Sequence, residues 1–255
     1  VFVRPYGIAW DGRDLLVADP GAGRVVRVTP SGRVRYSRRG AFASPIGVAV
    51  CLAGIVVTDS RVGRVALLDG NLRLVRWLAG GLERPTGVAC SGGRVVIAET
   101  GAHRLVVLSG DGRRREIGGR GTIPGRFNFP VALAADGETV WVGDTLNFRL
   151  QRIGLTSGRP LAAFGRLGDS PGELPRIKGV AVDSNGYLWV TEERLDQVVL
   201  YRRDGTLLMT FGGSGSAPGR FSFPAGIAAA PNGTVAVVDS LNRRIQVFRL
   251  VPGGE

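Results

Sequence analysis

An all-β chain closed into a ring of six four-stranded antiparallel blades, a six-bladed β-propeller, is the fold the sequence predicts. Three observations predict it. A Pro-x-Gly-aliphatic-Ala step opens six successive stretches, at Pro5-Tyr6-Gly7, Pro45-Ile46-Gly47, Pro85-Thr86-Gly87, Pro130-Val131-Ala132, Ile177-Lys178-Gly179 and Pro224-Ala225-Gly226. The third position of that step recurs after 40, 40, 45, 47 and 47 residues, and internal periods of this length mark solenoids, propellers or arrays. Each step also runs into short apolar strands that glycine, proline and β-branched residues keep interrupting, so no stretch reads as an amphipathic helix.

The last copy shows the elements in order. Gly226–Ala230 is a small apolar first strand, and Asn232-Gly233 supplies a tight left-handed turn. Thr234–Val238 is a β-branched second strand, and a five-residue bend through Asp239 leads to a third at Arg244–Phe248. The preceding copy adds a fourth, Thr206–Phe211, after a turn at Asp204-Gly205. Blades bury their faces only against neighbours, so residues 1–255 are expected to form one domain with a distributed core. The last blade is expected either to have three full strands with a short clasp from Val1–Val3 or to belong to a chain trimmed from something longer.

An acidic residue ends each second strand: Asp19, Asp59, Glu99, Asp144, Glu192 and Asp239. Five residues later stand Arg24, Arg64, Arg104, Arg149, Gln197 and Arg244. A catalytic group is needed once, whereas a blade staple is needed in every blade. The pairs are therefore read as structural, the arginine fork bridging carboxylate and nearby carbonyls, with a weaker neutral version at Glu192 and Gln197.

The motif Asp144-Thr145-Leu146-Asn147-Phe148-Arg149-Leu150-Gln151, its counterpart Asp239–Gln246, and the glycine-rich segments 118–127, 165–174 and 212–221 resemble NHL repeats. The resemblance covers essentially the whole chain and implies the propeller fold. It does not select a function, since NHL-type propellers serve as RNA binders, protein-docking discs, sensor domains and, less often, lyases.

Thirty-three basic against 21 acidic residues give a net charge of +12, and Lys178 is the only lysine. Arginine clusters at residues 33–39 and 113–115 put positive charge on the rim, where a polyanion or acidic partner is attracted non-specifically. The loops entering the first strands and joining second to third strands share one face. That face is expected to carry Arg4, Tyr6, Arg61, Arg84, His103, Phe148, Lys178, Arg194 and Arg243, with rings only from Tyr6 and Phe148. Cys51 and Cys90 read most simply as small buried fillers, a disulfide between adjacent blades remaining open. No apolar run is long enough to span a membrane. Without an initiating methionine, removal of a secretion signal or of a larger parent segment is expected, with a periplasmic or extracellular location, a cytoplasmic one being left open.

The channel should be lined by small aliphatic first-strand residues such as Ile8, Val48, Val88, Leu133, Val180 and Ile227, without a convergent set of metal ligands. From this the sequence is read as a non-enzyme, with no catalytic residue, metal or cofactor: a disc that docks a protein or peptide, acting as scaffold or sensor module. Two alternatives stand beside it. One is single-stranded RNA binding, with Arg61, Arg84, Lys178, Arg194 and Arg243 on phosphates and Tyr6 or Phe148 stacking on bases. The other is a metal-dependent lyase or hydrolase built on His103 with Glu99 or Asp144.

Overall fold

The computed structural model describes residues 1–250, and these form six antiparallel sheets arranged as a ring. Blade one comprises β1 (Ile8–Asp11), β2 (Asp14–Asp19), β3 (Arg24–Val28) and β4 (Val34–Tyr36). Blade two comprises β5 (Pro45–Cys51), β6 (Gly54–Asp59), β7 (Arg64–Leu68) and β8 (Leu74–Ala79). Blade three comprises β9 (Pro85–Ser91), β10 (Arg94–Glu99), β11 (Arg104–Leu108) and β12 (Arg114–Gly118). Blade four comprises β13 (Pro130–Asp136), β14 (Thr139–Asp144), β15 (Arg149–Gly154) and β16 (Pro160–Phe164). Blade five comprises β17 (Ile177–Val182), β18 (Leu188–Glu192), β19 (Gln197–Tyr201) and β20 (Leu207–Gly212). Blade six has three strands among the described residues, β21 (Pro224–Ala229), β22 (Thr234–Asp239) and β23 (Arg244–Arg249). The N-terminal segment adds no strand to it. The backbone N–H groups of Val3 and Arg4 instead donate to Asp19 of blade one, each at 2.9 Å.

Blade-to-blade packing explains the opening step. A Cβ on Gly47 would lie 2.2 Å from the Thr86 carbonyl oxygen of the next blade, so glycine is required for inner strands to approach this closely. The ring closes the same way, with the Gly226 N–H donating to the Tyr6 carbonyl at 2.8 Å and the Trp10 indole to the Ala228 carbonyl at 3.1 Å. A threonine at the end of a second strand, or just beyond it, adds a strap that the sequence did not advertise. Thr58 donates to the Thr86 carbonyl at 2.5 Å, Thr100 to Pro130 at 2.6 Å and Thr145 to Ile177 at 3.1 Å, and Thr191 donates to Ala225. Apolar cores lie between blades rather than within them. Val17, Val26 and Ala236, for instance, share the cluster between blades one and six, each large buried side chain contributing about 1.5–3 kcal/mol.

The acid–arginine position proves to be two devices. The acid's recurrent task is to capture backbone N–H groups of the loop entering its own blade. Asp59 takes those of Ala43 and Ser44, Glu99 that of Glu83, Asp144 that of Asn128 and Asp239 that of Ser222, at 2.6–2.9 Å. Direct ion pairs form at Glu99–Arg104 (2.6 Å), Asp144–Arg149 (2.9 Å) and Asp239–Arg244 (2.7 Å). In blades one and two the arginine turns instead onto a ring, Arg24 over Tyr36 at 4.0 Å and Arg64 over Trp77 at 5.4 Å. These blades lack the long glycine-rich segment whose carbonyls would hold the guanidinium. In blade five the expected neutral staple is absent. The Gln197 amide nitrogen is buried without a partner, and Glu192 takes the N–H groups of Arg194 and Leu195 at 3.0 and 2.7 Å.

Cys51 and Cys90 are joined in a disulfide, not merely packed as fillers, with Cα atoms 5.5 Å apart. It ties the inner strands of blades two and three at the face opposite the strand-entry loops.

Candidate functional site

At the entry face the ring opens into a mouth, a cavity of about 920 Å³ over the channel. Two sets of residues from the repeated step line it, together with residues of the bends after the second strands, such as Arg61 and Leu146. The outer set precedes the proline position: Ser44, Arg84, Phe129, Arg176 and Phe223. The inner set lies between that position and the glycine: Tyr6, Ile46, Thr86, Val131 and Lys178. The register of the fold thus fixes where these side chains stand, while the sequence leaves their chemistry free to differ. Below them, a neck of about 60 Å³ is walled by Ile8, Val48, Val88, Leu133, Val180 and Ile227.

Three of the outer residues sit in the left-handed region: Arg84 (φ 51), Phe129 (φ 54) and Phe223 (φ 59). Each is unusual for a residue with a Cβ, and two are held by a preceding blade. His103 accepts the Phe129 N–H on Nδ1 at 3.2 Å and meets its ring edge-on at 4.7 Å. Asp196 stands at the matching bend of blade five and accepts the Phe223 N–H at 2.8 Å. His103 and Asp196 therefore do the same work, orienting a phenylalanine at the mouth.

The mouth is cationic, its charges coming from several blades around the ring. Arg61, Arg84, Arg176 and Lys178 line it, Arg176 being paired to Glu193 at 3.2 Å. The Lys178 amine lies 5.1 Å and the Arg4 guanidinium 5.8 Å from the Phe223 ring centre. Burial holds the half-buried Lys178 amine below the ordinary lysine range; Arg176, Arg84 and Arg4 push the same way, and Glu193 opposes them. Burial likewise pushes the Tyr6 hydroxyl up to about 12.

Of the residues expected on this face, Tyr6, Arg61, Arg84 and Lys178 line the mouth, and Arg4 flanks it on Phe223. Phe148, Arg194 and Arg243 do not line it. Phe148 and Arg243 occupy the left-handed bend position (φ 57 and 55), as His103 does (φ 56). The expectation that rings come from Tyr6 and Phe148 is corrected: Phe129 and Phe223 supply them beside Tyr6. Arg176, Phe129 and Phe223 were missed, and the signal for them was present as the position before each opening step. Part of the rim arginine is also tied down, since Arg115 donates to carbonyls of Leu155 and Ser157 in the next blade and Arg35 to Asn71.

A metal centre on His103 does not fit these residues. Its Nδ1 is used by a backbone N–H, Glu99 and Asp144 are occupied by loop N–H groups and arginines, and burial holds its imidazole below the usual range. Among the described residues, no three His, Cys, Asp or Glu side chains are grouped to hold a metal ion. None of the helices there is long and apolar enough to cross a membrane.

The NHL repeat family model matches residues 221–248, which span the sixth blade, so an NHL repeat is present on a six-bladed propeller. No curated protein matches the sequence. Among solved structures, a streptogramin B lyase superposes with a TM-score of 0.67 at 15% identity, over 94% of this chain and 91% of that one. A gluconolactonase from Xanthomonas campestris gives 0.72 at 18%, over 94% and 84%. The hydrazine synthase of Kuenenia stuttgartiensis gives 0.68 at 15%, over 98% and 97%. At these identities the likeness is one of fold. It overturns the reading of the chain as a non-enzyme that only docks proteins as scaffold or sensor. That reading took the aliphatic channel as grounds against chemistry, yet the structural neighbours are predominantly enzymes on this same ring.

Proposed function

We propose that this chain is a lyase or hydrolase acting on a small anionic molecule seated in the mouth, with Lys178 as proton acceptor. The observation that carries the reading is the half-buried Lys178 amine, held below its ordinary range in a cavity otherwise cationic through arginine. A lysine base needs its pKa brought toward working pH, and burial beside other cations does that. Arginine keeps its charge throughout, so Arg61, Arg84 and Arg176 are suited to a substrate carboxylate or phosphate, while the Lys178 amine gives up its proton more readily than an ordinary lysine and is suited to proton transfer.

Tyr6 stays protonated through neutral pH, and its hydroxyl is suited to donate to an oxyanion as it develops. In an elimination, Lys178 Nζ takes the proton from the carbon beside the substrate carboxylate. The freed electron pair forms a double bond as the leaving group departs, and the arginines stabilise the charge in transit. In a hydrolysis, Nζ takes a proton from the water that attacks an ester or lactone carbonyl and returns it to the alkoxide oxygen as the acyl C–O bond breaks. Lyases and a gluconolactonase built on the same ring support the class of reaction, not a substrate. The disulfide supports an oxidising compartment outside the cytoplasm.

Because Lys178 is the only lysine, ¹³C-labelled lysine gives a single ε-carbon titration by NMR, expected to fall below that of free lysine. Turnover of a panel of β-substituted carboxylates and lactones, followed by proton NMR, is expected to vanish in Lys178→Met. An ordinary lysine titration, together with undiminished turnover in that variant, would sink the proposal.

A further inference from the structure

One junction between blades is left open at the face opposite the mouth, and a single turn shows why. The β7–β8 and β11–β12 turns are built alike. Asp69 N–H donates to Arg73 and Leu72 N–H to Asp69 at 2.9 and 3.0 Å, and Ser109 N–H donates to Arg113 and Gly112 N–H to Ser109 at the same distances. Leu72 and Gly112 hold the equivalent position, both in the left-handed region at φ 63 and 85. Leu72 is 2% exposed and packs between blades one and two beside Ile55 and Leu68. It keeps that leucine in a conformation glycine would adopt more easily, which marks its side chain as a plug. Leu155 is buried between blades three and four in the corresponding turn of blade four.

Between blades two and three the plug is missing. An added Cβ on Gly112 meets nothing within 4 Å. Ile55 and Leu68, a cross-strand pair, are 2% and 1% exposed, whereas Val95 and Leu108, paired in the same register one blade on, are left half-buried. Together with Leu78 and the Cys51–Cys90 bridge they wall a cavity of about 700 Å³, within the range of small-molecule sites. Two guanidinium groups reach it. Arg94 is engaged by Glu138 at 2.7 Å. Arg76 is exposed and, among the described residues, has neither an ion pair nor a side-chain hydrogen bond.

We propose that this cleft binds a single-chain amphiphilic carboxylate, a medium-chain fatty acid. Its alkyl chain lies against Val95, Leu108, Leu78 and the disulfide, and its carboxylate meets Arg76. The apolar walls select the chain, and the free guanidinium selects the head. The site is on the opposite face from the mouth and independent of the reaction proposed there.

The test is calorimetric titration of the intact protein with laurate below its micellar range, beside dodecanol and dodecyltrimethylammonium. Laurate is expected to bind with one-to-one stoichiometry. Dodecanol binding to the wild type and laurate binding to Arg76→Glu are each expected to be weaker by about tenfold or more, the loss of one charge-assisted hydrogen bond. Gly112→Leu, which transplants the plug of blade two, is expected to abolish laurate binding with the fold kept, as read by circular dichroism. Val95→Phe fills the cavity by a second route should the first variant fold poorly. Absence of saturable laurate binding overturns the proposal, as does binding indifferent to both filling variants. Equal affinity for laurate and dodecanol overturns the assignment of the head group. A wild-type dimer in light scattering that Gly112→Leu dissociates, with no laurate bound, gives the cleft to a second copy of this chain instead.

Discussion

Asp144 and Gln197 provide opposite tests of how the ring is held together. Asp144 is fully buried and accepts the Asn128 N–H at 2.6 Å, the side chains of Asn147 and Gln151 at 2.8 and 2.9 Å, and Arg149 at 2.9 Å. Asp144→Ala removes all four acceptor contacts. Arg149, Asn147 and Gln151 each keep a carbonyl of the glycine-rich segment, at Arg126 or Gly121, so their loss is partial. The Asn128 N–H keeps no side-chain acceptor, and the Arg149 charge, 14% exposed, loses its counterion. Breaking a buried pair from one side costs about 3–5 kcal/mol, and that is the expected loss. Arg149→Met should cost nearly as much, and the double variant should cost less than the sum, with a coupling of about 1–3 kcal/mol. In blade five the corresponding Gln197 amide nitrogen is already unpartnered. Gln197→Met should therefore be near neutral, within about 0.5 kcal/mol. Urea unfolding followed by circular dichroism and tryptophan fluorescence measures all four. Equal losses for Gln197→Met and Arg149→Met would refute the division of the repeated position into two devices.

The disulfide closes a loop of 39 residues between neighbouring blades. Replacing both cysteines by alanine is expected to lower stability by about 4 kcal/mol on the chain-entropy account; an unchanged urea midpoint would show that the ring alone supplies the constraint. His103 is held below its usual 6.5 chiefly by burial, with Arg120 adding to it. The unfolded chain therefore binds this proton more readily, and stability should be lost as pH falls from 6.5 through the folded value. His103→Asn suits the left-handed position and should remove that slope, read as the difference in urea midpoint between about pH 7.5 and about pH 5. Parallel curves for the two proteins would reject it.

The propeller was legible because neighbouring inner strands approach closely at each junction. Gly47 faces Thr86 as Gly226 faces Tyr6, and the glycine this requires recurs in five of the six opening steps, Ala132 standing in blade four. The mouth was only half legible. Tyr6 and Lys178 lie inside the repeated step and could be placed. Arg176, Phe129 and Phe223 lie one residue before it, where no common side chain draws the eye, and His103 looked chemical because histidine is rare here.

Sequence by itself determined the number of blades, the strand order, and the corners where the acid and the residue five positions on would stand, since local spacing sets those. Tertiary structure alone decided what each repeated residue does. Arg24 and Arg64 turned to aromatic rings because their loops are short, while Arg149 and Arg244 had a glycine-rich segment to grip. It alone decided that Lys178 sits among arginines and that Gly112 leaves a cleft where Leu72 fills one. These outcomes depend on which neighbour lies across a blade junction, a contact between residues some 40 positions apart that no local pattern encodes.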